Sequence, residues 1–120
     1  MSVELSRQYK VVPGRNVDLT LNIGEGQRGR SLVMLDFTVL PFSMDDDGNI
    51  ASLQVGEGQS LVGKRLRVFS TVSDVNPSTN RTSITYRLNG GAVPLVCTLD
   101  FTVSQPGDKA EFVASFNFVA

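Results

Sequence analysis

Histidine is absent from all 120 residues, and with it the commonest general base, proton shuttle and metal ligand. No Ser-His-Asp or Cys-His pairing can form, and no imidazole metal site. Catalysis would have to rest on carboxylates, lysine, tyrosine or one thiol. Tryptophan is absent too, and only Tyr9 and Tyr86 represent tyrosine, so the exposed aromatic platforms that hold glycans are scarce. The single cysteine, Cys97, can form no internal disulfide, which fits a reducing compartment. No segment approaches the roughly 20 apolar residues of a membrane helix. Met1-Ser2-Val3-Glu4-Leu5 lacks the basic-then-apolar order of a secretion signal. These absences together predict a cytoplasmic location. Eleven Lys and Arg against twelve Asp and Glu give a net charge of −1, so no global field points to nucleic acid or an anionic membrane.

What is present is a strict period of two. Apolar and polar residues alternate through Val17-Asp18-Leu19-Thr20-Leu21-Asn22-Ile23. They do so again at Leu95, Cys97, Leu99, Phe101 and Val103, and at Phe112, Ala114, Phe116 and Phe118. Such alternation puts one face of a strand on a core and the other in water. No segment of eleven or more residues carries a helical period. The turn signals are of the β kind: Pro13-Gly14-Arg15-Asn16, Asp47-Gly48-Asn49, Asn89-Gly90-Gly91 and Pro106-Gly107-Asp108. A chain of this length with 41% hydrophobic residues forms one domain with a buried core.

A weak internal repeat overlays this pattern. Gly24-Glu25-Gly26-Gln27 recurs as Gly56-Glu57-Gly58-Gln59, and Leu35-Asp36-Phe37-Thr38-Val39 recurs as Leu99-Asp100-Phe101-Thr102-Val103. The offsets suggest three units of about 32 residues, covering 24–55, 56–87 and 88–119, each made of hairpins. With an N-terminal hairpin (residues 2–12 and 17–23), the total is about eight antiparallel strands. The fold expected is an all-β, two-sheet β-sandwich, with a small barrel as second choice. Leu32 to Leu40, almost continuously apolar, reads as a central strand covered on both faces. The Phe residues fall mostly at inward positions, and Cys97 shares the parity of Leu99 and Phe101, predicting a buried, inert thiol.

Gly24-Glu25-Gly26-Gln27-Arg28-Gly29 fits the spacing of a phosphate-binding glycine loop, but such a loop must open a helix. Here Ser31-Leu32-Val33-Met34-Leu35 follows, which is a strand. The sharpest local feature is Asp45-Asp46-Asp47-Gly48-Asn49. Hard cations take several carboxylate and carbonyl oxygens. As an EF-hand the segment fails: it starts on Ser43 rather than an acid, and Gln54 stands where a bidentate Glu belongs. A different geometry remains. If hairpins run up and down, the turns at 43–49, 73–81 and 104–110 meet at one end of the sandwich, bringing Asp45, Asp46 and Asp47 toward Asp74 and Asp108. This layout resembles that of calcium-dependent C2 domains, although no C2 sequence motif is present. It implies a calcium-dependent ligand or membrane contact.

Lys64, Arg65, Arg67, Arg81 and Arg87 make residues 63–90 locally basic. Arg67 and Arg87 alternate with apolar neighbours and could project from one solvated face toward an acidic partner. Val96, Val113 and Val119 are apolar at outward positions. The chain closes on Ser115-Phe116-Asn117-Phe118-Val119-Ala120, and as an edge strand that segment would accept a further strand. A histidine-free enzyme using carboxylates is the remaining class. It lacks a convergent pair, since Asp36 and Asp100 read as outward strand residues.

The sequence therefore points to a non-enzymatic interaction or assembly module without a cofactor. Its partner would be another protein or a second copy, met through Arg67, Arg87, Val113 and Val119. A calcium-dependent domain is the alternative.

Overall fold

Inward-facing alternate residues decide the architecture. The computed structural model describes residues 2–120, and among them nine strands and one helical turn form. They are β1 Ser2–Lys10, β2 Asn16–Ile23, β3 Arg28–Leu35, β4 Thr38–Val39, β5 Ile50–Glu57, α1 Gly58–Leu61, β6 Arg65–Ser73, β7 Arg81–Asn89, β8 Leu95–Thr102 and β9 Lys109–Val119. A five-stranded sheet runs β1-β9-β6-β3-β4, and a four-stranded sheet runs β5-β2-β7-β8. The two pack face to face as a β-sandwich and no barrel closes, which settles the choice left by the sequence. Between them lie Leu19, Leu21, Val68, Ile84, Leu88, Phe112 and Phe116, all fully buried. Tyr86 meets Phe116 edge-on at 6.0 Å, and Tyr9 meets Phe118 at 6.4 Å, the geometry aromatic quadrupoles favour.

The turn glycines behave as their neighbours predict: Gly14, Gly48, Gly90 and Gly107 all take φ between 82° and 96°. At Gly48 there is a second reason for glycine. A Cβ there would collide with the Gly29 carbonyl, so the loop after β4 could not dock on the start of β3.

Several expectations change. Residues 2–12 and 17–23 do not pair as a hairpin. β1 lies parallel to β9, with Ser2 opposite Glu111 and Lys10 opposite Val119, while β2 sits in the other sheet. Tyr9 pins this crossing. Its hydroxyl donates to the Leu88 carbonyl (3.2 Å) and accepts from the Gly91 amide (2.9 Å), joining edge strand β1 to the end of β7 and the turn that follows it in the other sheet. The apolar run 32–40 is no doubly covered central strand. It breaks at Asp36-Phe37, where Asp36 takes φ 50°, into β3 and the short edge strand β4. Leu32, Phe37 and Val39 are left 44%, 93% and 53% exposed because no third layer among the described residues covers that face. Only Phe112, Phe116 and Phe118 of the Phe side chains are fully buried.

The repeated peptides also diverge. Gly24–Gln27 makes a tight turn between β2 and β3, whereas Gly56–Gln59 forms the corner from β5 into α1. Leu35–Val39 is a hairpin bend, while Leu99–Thr102 stays within one strand. Only β3–β4 and β7–β8 are hairpins of consecutive strands within one sheet, and the other connections pass between sheets.

Candidate binding face

The outer face of the five-stranded sheet is built from rows that cross its strands. Leu32, Phe69 and Val113 stand opposite one another on β3, β6 and β9, with Glu4 of β1 closing the row. The next row toward one end is Met34, Arg67, Ser115 and Ser6; toward the other it is Arg30, Thr71, Glu111 and Ser2. The parity that sends Val68, Val72, Phe112 and Ala114 into the core sends these residues outward. A depression of about 570 Å³ lies over the face, lined by Arg30, Leu32, Phe69, Thr71, Glu111 and Val113 among others.

Arg67 stands beside Phe69 on the same face. Its guanidinium lies 5.6 Å from the centre of the Phe69 ring, and its Nη2 donates to the Asp36 carbonyl at 3.0 Å. Its Nε is buried without a hydrogen-bond partner. Asp36 holds the corner: its carboxylate accepts from the Arg65 amide at 2.9 Å, and its own amide donates to the Arg65 carbonyl at 2.8 Å. Past Arg67 a second hollow, of about 270 Å³, is lined by Asp36, Phe37, Arg65 and Arg67. The outward cations Lys10, Arg28, Arg30, Arg65, Arg67 and Lys109 outnumber the outward acids Glu4 and Glu111. This face is thus basic on a molecule whose net charge is −1.

The opposite outer face has a different character. Thr20, Arg87 and Val96 form one row, and Asn22, Thr85 and Thr98 the next, with the two threonine hydroxyls 2.9 Å apart. Arg67 and Arg87, expected on one face, therefore point from opposite sides of the sandwich. Val113 lies in the apolar row. Val119 is the half-buried last residue of β9, opposite Lys10. β9 has both edges paired, so the expected strand addition at the C-terminus has no free edge. Cys97 is half-buried on the edge strand β8 rather than sealed in the core.

The acidic turns do gather at one end. Gly29 donates to the Asp47 carbonyl and Asp74 to the Asp108 carbonyl, both at 2.9 Å, and Arg28 and Ser73 are paired between them. Their carboxylates do not converge. Among the described residues no three acidic, cysteine or histidine side chains stand close enough to share an ion. Asp45 spends its oxygens within its own loop, accepting from the amides of Asp47 and Asn49 and from the Asn49 side chain, each at 2.9 Å. The Asn49 side-chain bond, followed by its backbone bond, lowers the Asp45 pKa. Asp46 is an exposed loop residue. Asp47 makes a loose pair with Arg28 at 3.8 Å. Asp108 accepts from the Gln105 amide at 3.1 Å. Asp74 is 4% exposed, and neither carboxylate oxygen has a hydrogen-bond partner.

Sequence reasoning passed over Gln27, which is 2% exposed and organises this end. Its amide nitrogen donates to the carbonyls of Thr79 and Arg81, and its oxygen accepts from the amides of Val75 and Asn76. The tetrapeptide offers no clue to this, because its twin Gln59 is exposed. Glu57 was likewise read only as part of a repeat. It caps α1, and its carboxyl is held below its ordinary value by the Gln59 amide first and the Gly14 amide next.

Fold and site together define a β-sandwich with one polar and one apolar, basic outer face. Comparison with protein-family models, characterised proteins and solved structures found no match. Among the described residues no helix is long and apolar enough to cross a membrane.

Proposed function

We propose that the chain is a non-enzymatic interaction module that docks an acidic partner carrying apolar side chains on the outer face of β3, β6 and β9. The observation that carries this reading is the apolar row Leu32–Phe69–Val113, flanked by Arg30 and Arg67 on β3 and β6 and by Glu4 and Glu111 on β1 and β9, on a cation-rich sheet face that no described element covers. A two-layer sandwich needs only its inner faces apolar, and a grouped apolar patch with a polar rim is the usual mark of an interface. The surplus of arginine selects the partner's charge by electrostatic complementarity.

The test is a titration of isotopically labelled protein with an extended peptide of alternating glutamate and leucine. Amide shifts should map to β3, β6 and β9. Phe69→Ser should weaken binding about thirtyfold, the scale of a central aromatic anchor, while the fold persists because Phe69 faces outward. Equal binding of a lysine-leucine peptide, or shifts confined to the four-stranded sheet, would sink the proposal.

A second reading, self-assembly through a strand edge, is favoured by β8. This eight-residue edge strand carries Asp100 as its one charge and leaves Val96 50% exposed. Thr98→Lys should then abolish any dimer seen by light scattering. A monomer in the unsubstituted protein removes this reading.

A further inference from the structure

Beyond Phe69 the outer face of β6 changes from apolar to donor-rich. The row Arg28–Ser73–Lys109 lies at the end of the sheet, and Arg30–Thr71 stands in an adjacent row. A hollow of about 270 Å³ opens here, with Arg28, Arg30, Lys109, Thr71 and Ser73 in its lining. Those side chains supply three cations and two hydroxyls. No carboxylate lines the hollow; Asp47 stands 3.8 Å from Arg28 with both side chains more than 60% exposed, and Glu111 stands beside Thr71 in the adjoining row. An ion pair so open to solvent contributes little and yields readily to a better anion.

We infer that this hollow is an oxyanion site that takes the phosphate group of a phosphomonoester. A phosphate presents three terminal oxygens and close to two negative charges at neutral pH. Arginine matches it with paired planar donors, lysine as a point charge, and the hydroxyls bond the remaining oxygens. A carboxylate, with one charge and two oxygens, would leave part of this donor set unmatched. The site adjoins the apolar depression, since Arg30 and Thr71 line both. Ser73 and Phe69 lie four residues apart on β6, roughly 13 Å along a strand. A ligand segment that runs extended over β6 would thus set an apolar side chain on Phe69 four residues from its phosphate. The phosphate could equally belong to a small metabolite.

The experiment is a titration of the full chain with inorganic phosphate, followed by amide shifts, against sodium chloride at matched ionic strength. Saturable shifts at Arg28, Arg30, Ser73 and Lys109 are expected. Arg28→Gln or Lys109→Gln should weaken binding about tenfold, the factor one charge-assisted hydrogen bond carries. Arg87→Gln on the opposite face should leave it unchanged. Shifts that chloride reproduces, or that persist at full strength in Arg28→Gln and Lys109→Gln, would overturn the site. Two further arms separate the sources. A phosphoserine peptide with leucine four residues away should bind more tightly than phosphate and shift Phe69 if the ligand is a partner segment. Equal affinity for glycerol phosphate and that peptide assigns the site to a small phosphomonoester. If the glutamate-leucine peptide binds on Phe69 while phosphate fails, this site falls and the docking face stands.

Discussion

β8 and β9 read alike in the sequence, yet they hold different positions in the sandwich. Both alternate apolar and polar residues over eight residues or more. β9 lies between β1 and β6, and its inward Phe112, Ala114, Phe116 and Phe118 are at most 1% exposed. β8 is the edge of its sheet; its inward Leu95, Cys97 and Leu99 are half-buried, and Phe101 remains 38% exposed. Alternation thus states which side of a strand is greasy. How much of that side is covered depends on the strand's neighbours and on what the other sheet sets opposite.

The largest effect should come from cutting the two strands at matched aromatic positions. Phe116→Ala should destabilise by about 4 kcal/mol, because it opens a cavity against Tyr86 in a closed core. Phe101→Ala should cost about 1 kcal/mol, since much of that ring is already in water. Urea unfolding of both variants checks the contrast, and similar losses would erase it. Filling is the converse. Ala114→Leu should cost about 2 kcal/mol by overpacking, whereas Cys97→Leu on the half-open edge should change stability by less than about 0.5 kcal/mol.

A smaller effect is expected at Tyr86, paired with Cys97 across β7 and β8. Burial raises its pKa, and its hydroxyl makes no hydrogen bond of good geometry. Ser70 lies near enough to offset that rise slightly, but it shares a 2.6 Å bond with Ser31. Tyr86→Phe should therefore stabilise the protein by up to about 1 kcal/mol, because it removes an unpaired buried group and keeps the ring contact with Phe116. Thermal unfolding would show it, and a loss of stability would mean that the hydroxyl has a partner.

The smallest effects belong to two carboxylates that cap local backbone. Asp45 and Glu57 are held below their ordinary values of 3.8 and 4.5 by hydrogen bonds to the charged form. Their contribution is complete above about pH 5 and drains away as pH falls through the lowered folded values. The difference in urea midpoint between the unsubstituted chain and Asp45→Asn or Glu57→Gln should be present at pH 7 and narrow below about pH 4. Calcium should leave the melting temperature unchanged. Asp45, Asp47 and Asp108 are engaged locally, Asp74 is buried, and no three of the turn acids converge. A rise on adding calcium would mean that the loops rearrange around the ion.

Much of the fold was legible because its signals are local. A period of two marks the strands, and a turn glycine must reach positive φ wherever its neighbours sit. The candidate face was partly legible. Val113 and Arg67 were recognisable as outward residues, while Phe69 and Leu32 read as core. Nothing local distinguishes an apolar residue facing the other sheet from one facing open solvent.

The sequence by itself determined the all-β class, the turns at Gly14, Gly48, Gly90 and Gly107 and the inward parity of β9. Tertiary structure alone decided that β1 leaves β2 to run parallel with β9, that β9 is interior while β8 is an edge, and that Leu32, Phe69 and Val113 share one uncovered row. The physical reason is that alternation records only the side on which a strand is apolar. Neighbours, register and covering layer arise from contacts between residues far apart in the chain, and a period of two is compatible with many such pairings.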